Sequence, residues 1–124
     1  MHCVVCVGRN IGRTPMPKDR WAAFVDDVQS VVAAHAASIY SRALGLGYWD
    51  GLTEETFVIS FVDDSVGLDR DLSALAFQYE QESIALVRGR CFLVPASSGM
   101  AEAFLTLGNE PAEKYPANPS FLSI

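Results

Sequence analysis

Seven consecutive residues, Thr56 to Val62, carry no charge, proline or glycine, and this stretch constrains the chain most. Turn-forming residues bound it: Asp50-Gly51 lie before it and Asp63-Asp64 after it. A run this short, β-branched and aromatic reads as a strand, not a helix. Strand side chains alternate between faces, so Phe57, Ile59 and Phe61 share one side while Val58, Ser60 and Val62 share the other. Both sides are mostly apolar, which predicts a central strand covered on both faces.

The flanking segments build around it. Cys3 to Val7 is a second strand, again apolar on both sides. Gly8 to Pro15 is a loop by its glycine, asparagine and proline content. Pro17 suits the first position of a helix. Trp21, Phe24, Val25, Val28, Val31, Val32 and His35 then recur at three- and four-residue spacing, which predicts an amphipathic helix over 17–36. Ser38 to Leu44 reads as a weaker edge strand, and Gly45 to Gly51 as a glycine- and aromatic-rich connection. Asp69, a candidate N-cap, opens a second helix to about Gln81, with Leu72, Leu75, Ala76 and Tyr79 as its buried stripe. Ser83–Val87 and Cys91–Val94 are two strands around Arg88-Gly89-Arg90, a short hairpin or a bulge. A short helix from Gly99 to Leu107 and a proline-rich tail follow. The domain reading is 1–95 for the body and 96–124 for this helix and tail.

The order β-α-β-β-α-β, with right-handed crossovers, predicts an α+β ferredoxin-like sandwich. Both helices then lie on one face of an antiparallel sheet, and an extra C-terminal hairpin strand and a tail follow. Three strands are apolar on both faces, yet the helices shield only one. Soluble monomers rarely leave such a patch in water, so a homodimer packing sheet to sheet is the expected cover. The competing cover is the chain's own Met100–Leu107 and Phe121-Leu122.

Composition narrows function by exclusion. The 124 residues form one domain with 50% hydrophobic and 19% charged residues, which excludes wholesale disorder. A formal charge of −6 opposes nucleic-acid binding, which needs a positive field. No apolar run approaches the ~20 residues needed to cross a bilayer, and no secretory signal is visible. The expected location is cytoplasmic, with no membrane partner. Three cysteines fit reduced thiols better than a disulfide framework. Cys3 and Cys6 face opposite sides of a strand, so no metal site and no cofactor are expected from them.

Two stretches carry candidate chemistry. In Gly8–Arg13, Arg9 and Arg13 offer forked donors for phosphate or carboxylate, and Asn10 adds an amide. The alternative is a solvated turn whose arginines pair with surface acids. In Gly45–Gly51, Tyr48 and Trp49 beside Asp50 can stack on a flat ligand or anchor a protein. Their alternative is to cap the core of a twisted hairpin. The ligand-binding candidates are therefore Arg9, Asn10, Arg13, Tyr48, Trp49 and Asp50. No catalytic residue is assigned, because no nucleophile elbow, triad or metalloprotease pattern is present.

Three segments carry a resemblance: Val7-Gly8-Arg9-Asn10 before Pro15-Met16-Pro17, then Trp21-x-x-Phe24-Val25-x-Asp27-Val28, then Gln81-Glu82-Ser83-Ile84-Ala85-Leu86. Over about residues 4–94 the chain resembles a family of small proteins of actinobacterial viruses and related bacterial proteins. That resemblance implies a phage origin, the host cytoplasm and a ferredoxin-like body, and it carries over no catalytic residue. The expectation is a non-enzymatic phage-type accessory protein that binds a host protein or a small anionic, nucleotide-like ligand, of the kind that inhibits a host defence. Two alternatives stand beside it. One is a minor virion component. The other is a small enzyme working between sheet and helices, with His35, Glu54, Asp63 and Glu82 as acid/base candidates.

Overall fold

The structure is a computed structural model that describes residues 1–63 and 65–96. Strands β1 (His2–Gly8), β4 (Ala36–Trp49), β5 (Leu52–Asp63) and β6 (Ala85–Gly89) form one antiparallel sheet in the order β4-β5-β1-β6. A small hairpin, β2 (Asn10–Ile11) with β3 (Thr14–Pro15), forms a second sheet. Helices α1 (Lys18–His35) and α2 (Leu68–Gln78) complete an α+β architecture.

The central strand sits where its sequence placed it, between β4 and β1. Phe57, Ile59 and Phe61 are buried, and they pair across the ladder with Val7, Val5 and Cys3, also buried. Trp21, Phe24, Val28 and Val32 of α1 close over this layer, and Leu68, Leu72, Leu75 and Tyr79 close over it from the α2 side. Those spacings place one helical stripe on the sheet, and burying such side chains drives the packing at roughly 1.5–3 kcal/mol each. The helices touch through rings: Tyr79 stacks on Phe24 at 4.7 Å, and its hydroxyl donates to the Asp27 carboxylate at 2.5 Å. That bond to an anion holds the phenol above its ordinary value, with burial adding to the rise.

The ends of the helices differ from the sequence expectation by small, explicable steps. Pro17 is the N-cap of α1 and not its first residue, because its C=O already accepts the Trp21 N–H at 2.9 Å. Gly67, not Asp69, is the N-cap of α2, and Asp69 sits in the first turn, where its charge suits the helix dipole. At the other end, Gln81 N donates to Ala76 O at 2.8 Å and Glu80 N to Phe77 O at 3.2 Å, a Schellman closure. Glu80 holds the left-handed position at φ 58, where glycine is the usual occupant.

Strands β4 and β5 are longer than the sequence suggested, and the connection read at Gly45–Gly51 is mostly ladder. Pairing continues to Trp49↔Leu52, so only Asp50 and Gly51 form the turn. Both have positive φ, at 52 and 78, which is the two-residue turn that matches strand twist. Strand β4 is an edge, as expected, and two register shifts interrupt it near Ala36–Ser38 and Ile39–Ser41. The expected extra hairpin strand at Cys91–Val94 is absent: residues 91–94 belong to no strand. Its would-be turn lacks the geometry, since Gly89 is not among the positive-φ residues. The sheet also stops there, because Gly89 pairs with His2 at the very start of β1. The expected helix at 99–107, the tail to 124 and its role as a sheet cover fall outside the described residues.

Side chains opposite the helices are His2, Val4 and Cys6 of β1, Val58, Ser60 and Val62 of β5, and Val87 of β6. Neither α1 nor α2 packs on this face. It carries no acidic or fixed basic residue in those rows, and His2 stacks on Tyr40 at 5.5 Å. Burial holds the His2 imidazole below its ordinary value, and the adjacent N-terminal ammonium adds to that.

Two acids of α2 tie the helix to the rest of the body. Asp69 receives Arg88 of β6, and Asp71 receives His35 of α1 at 2.7 Å. The Arg88 bond holds the Asp69 carboxyl below the usual range, and the His35 bond does the same for Asp71. Each folded value lies below the unfolded one, so the unfolded chain takes up protons first as pH falls. This contribution is therefore complete above about pH 5 and is lost as pH drops through the depressed folded values. Thermal melts from neutral pH to about pH 2 should show a smaller acid-induced drop for Asp71→Asn than for the parent chain. Equal drops in the two proteins would refute the assignment.

Candidate functional site

The β4–β5 ladder outruns its neighbours. Strand β1 stops at Gly8, paired with Thr56, while β4 and β5 continue for four more residues each to the Asp50-Gly51 turn. The result is a two-stranded arm projecting past the sheet. The β2–β3 hairpin leaves β1 beside it, and the segment from Glu80 to Ser83 flanks it from the α2 side. Between them lies a cleft of about 400 Å³. Its floor is the end of the helix-free sheet face: Cys6, Gly8, Glu54, Thr56 and Ala85.

Glu54 organises the floor. Its Oε2 accepts the Asn10 N–H at 2.7 Å, which pins the small hairpin to the arm. The carboxylate occupies the space over Gly8, where any side chain would collide with it. Gln81 completes the frame from the far side: its Nε2 donates to Asn10 O at 3.1 Å. From the junction between α2 and β6 the Gln81 side chain thus reaches the β2–β3 hairpin.

Five of the six sequence-picked residues gather here: Asn10, Arg13, Tyr48, Trp49 and Asp50 line one cleft. Tyr48 is 80% exposed and Trp49 is 67% exposed, so neither ring caps the core. Arg9 goes elsewhere. Its Nε donates to Met16 O at 2.8 Å and its Nη1 meets Glu55 at 3.1 Å, which shapes the loop from behind. There it borders a second hollow of about 500 Å³ with Trp21, Val25, Leu44 and Phe57. For Arg9 the surface-pairing alternative describes what the side chain does.

Of the acids that give the cleft its sign, sequence reasoning named only Asp50 as a ligand-binding candidate. Asp50, Glu54, Glu80 and Glu82 line it, against Arg13 as the one cation among the described lining residues. Glu54 was visible only as a possible acid/base group, and Glu80 carried no signal at all: it reads as the polar end of a helix. Cys6 contributes a sulfur whose burial pushes the thiol up, away from a reactive thiolate. Cys3 lies buried on the other face, as the alternation required. Among the described residues no three His, Cys, Asp or Glu side chains group to hold a metal ion.

The enzyme candidates divide between two ends of the molecule. Glu54 and Glu82 line the cleft, while His35 and Asp63 lie near the start of α2. Between sheet and helices the described residues bury no polar or charged side chain. No family model matches the chain, and no curated protein matches it. Among the described residues no helix is long and apolar enough to cross a membrane.

Two substitutions test this frame. Gly8→Ala should displace the Glu54 carboxylate and strand the Asn10 N–H, costing about 1–3 kcal/mol in urea unfolding. Combining it with Glu54→Ala should cost less than the sum, because the collision is gone. Glu80→Gly should raise stability by about 1 kcal/mol, since glycine occupies the left-handed position without strain. A lowered urea midpoint for that variant would contradict the strained closure.

Proposed function

We propose that this chain is a phage-type accessory protein that acts by binding, with no reaction at the cleft, and that the cleft seats a protein segment. The observation that carries this reading is the convergence of Asn10, Arg13, Tyr48, Trp49 and Asp50 on one cleft. Two exposed aromatic rings on a rigid two-stranded arm are suited to anchoring a partner. Four carboxylates against one guanidinium favour a segment that presents lysine or arginine, and they oppose a small anionic ligand. Of the two partner classes expected from sequence, the host protein is therefore the one preferred. Interference with a host defence is the role that suits such a binder.

The phage-type assignment rests on the Trp-x-x-Phe and Gln-Glu-Ser-Ile segments. Their side chains have structural duties here, since Trp21 and Phe24 are core residues and Gln81 frames the cleft. The finer fold reading is a ferredoxin-like body, supported by two crossover helices and the order β4-β5-β1-β6. A homodimer through the helix-free sheet face is part of the proposal, supported by the uncharged rows Val4–Cys6 and Val58–Val62. Because the cleft floor is the end of that same face, a second copy would set two clefts close together.

Binding of a fluorescein-labelled lysine- and arginine-rich peptide, followed by anisotropy, tests the assignment beside a labelled nucleotide. Peptide binding that weakens with salt and drops about tenfold or more for Trp49→Ala is expected, because aromatic anchors carry large shares of binding energy. Tight nucleotide binding lost in Arg13→Ala would reverse the choice of partner class. Sedimentation of the full chain reads the dimer, and a Val58→Glu change on the open face should leave it monomeric.

A further inference from the structure

At the opposite end of the sheet from the arm, the end of β5, residues 65–67 and the first turn of α2 meet the last residue of α1. His35 sits between two partners. Its Nε2 lies 2.7 Å from Asp71 Oδ2, and its Nδ1 lies 2.5 Å from Ser65 Oγ. An ionised Asp71 can only accept, so it fixes the proton on Nε2, and a neutral ring then turns the Nδ1 lone pair toward the Ser65 hydroxyl. The His35 side chain is only 9% exposed, while Ser65 is open to solvent. Asp63 Oδ1 accepts the Ser65 N–H at 3.0 Å, which fixes the backbone behind the hydroxyl, and it lies 3.5 Å from Ser65 Oγ, a longer contact than the one to His35.

The surroundings keep this contact in place. Gly67 has no side chain, and the Arg70 guanidinium and His35 Cε1 come within 3.2 and 3.6 Å of where its Cβ would stand. Arg70 also meets Asp71 at 3.4 Å, and Arg88 meets both Asp63 and Asp69, so these three carboxylates each have a cationic partner. The N–H groups that open α2 have no acceptor within the helix, and Ser65 precedes its N-cap Gly67 by two residues. A hydroxyl, a base, an anion behind the base and donors nearby are the parts that activated serines share, whatever fold holds them.

We infer that Ser65 is a nucleophile toward small activated acyl esters, with His35 as its general base and Asp71 as the residue that positions His35. Ser65 Oγ bonds to the acyl carbon while its proton passes to His35 Nδ1. The ester C–O bond breaks, and the leaving oxygen takes that proton. Water then attacks the acyl-serine, giving its proton to His35 and then to Ser65 as the acid departs. No oxidant, reductant or metal is needed. Because Ser65 is open to solvent, the substrates are small esters with good leaving groups. This activity is separate in place from the cleft, so either can fail without the other.

The test uses the full chain and a fluorophosphonate probe, in which the Ser65 oxygen would displace fluoride at phosphorus. Intact mass should show one adduct, and peptide mapping should place it on Ser65. Ser65→Ala should abolish it, and His35→Gln should slow it about 100-fold or more. Asp71→Asn should slow it at least about tenfold, with Asp71→Glu recovering part of the rate. Circular dichroism on each variant separates this from lost folding. A chain that takes no adduct, keeps it in Ser65→Ala, or labels equally fast in folded His35→Gln overturns the inference and leaves these contacts as a helix-capping network. Turnover of p-nitrophenyl acetate should follow the same order of variants.

Discussion

The structure depends on one buried layer, in which Phe57, Ile59 and Phe61 of β5 lie beside Val7, Val5 and Cys3 of β1. Every other element is placed by what that layer needs. Two amphipathic helices supply one cover, and the crossovers that deliver them put β4 and β6 on the outer edges. A one-residue slip in this pairing would turn the phenylalanines toward the helix-free face, so the register is strongly fixed. A fixed register also fixes where β1 ends relative to β5, and that mismatch in length creates the arm.

The arm converts a packing consequence into a candidate site. Among the described residues the β4–β5 ladder has no third strand beyond Gly8, so its side chains meet loops and solvent. Glu54 replaces the missing strand in part by accepting the Asn10 N–H, and Gln81 closes the gap from α2. The cleft is thus held by polar contacts on a scaffold whose stability comes from elsewhere. This division suits a binding surface: the lining side chains can change while the layer beneath stays intact.

At the other end the same logic gives a denser network. The C-terminus of α1, the end of β5 and the start of α2 converge, and their orphan groups must be satisfied. His35, Asp63, Ser65, Asp69, Asp71 and Arg88 satisfy one another there. The two polar ends lie at opposite ends of the β4–β5 ladder, separated by an interior whose described residues bury no polar or charged residue.

The sequence by itself determined the elements whose signal is local. The apolar run at 56–62, the three- and four-residue spacing from Trp21 to Val32, and the stripe Leu72–Tyr79 each specify an element and its buried side. The α+β class, the edge position of β4 and the opposed faces of Cys3 and Cys6 follow from them. Tertiary structure alone decided what depends on partners distant in the chain. It turned Arg9 away toward Glu55 and Met16, and it brought Glu80 to the cleft through a left-handed closure normally filled by glycine. It also left Cys91–Val94 outside any strand, and it set Ser65 against His35 across 30 residues. Periodicity reports which side of an element seeks burial, while contacts between element ends depend on lengths and registers that no single segment contains.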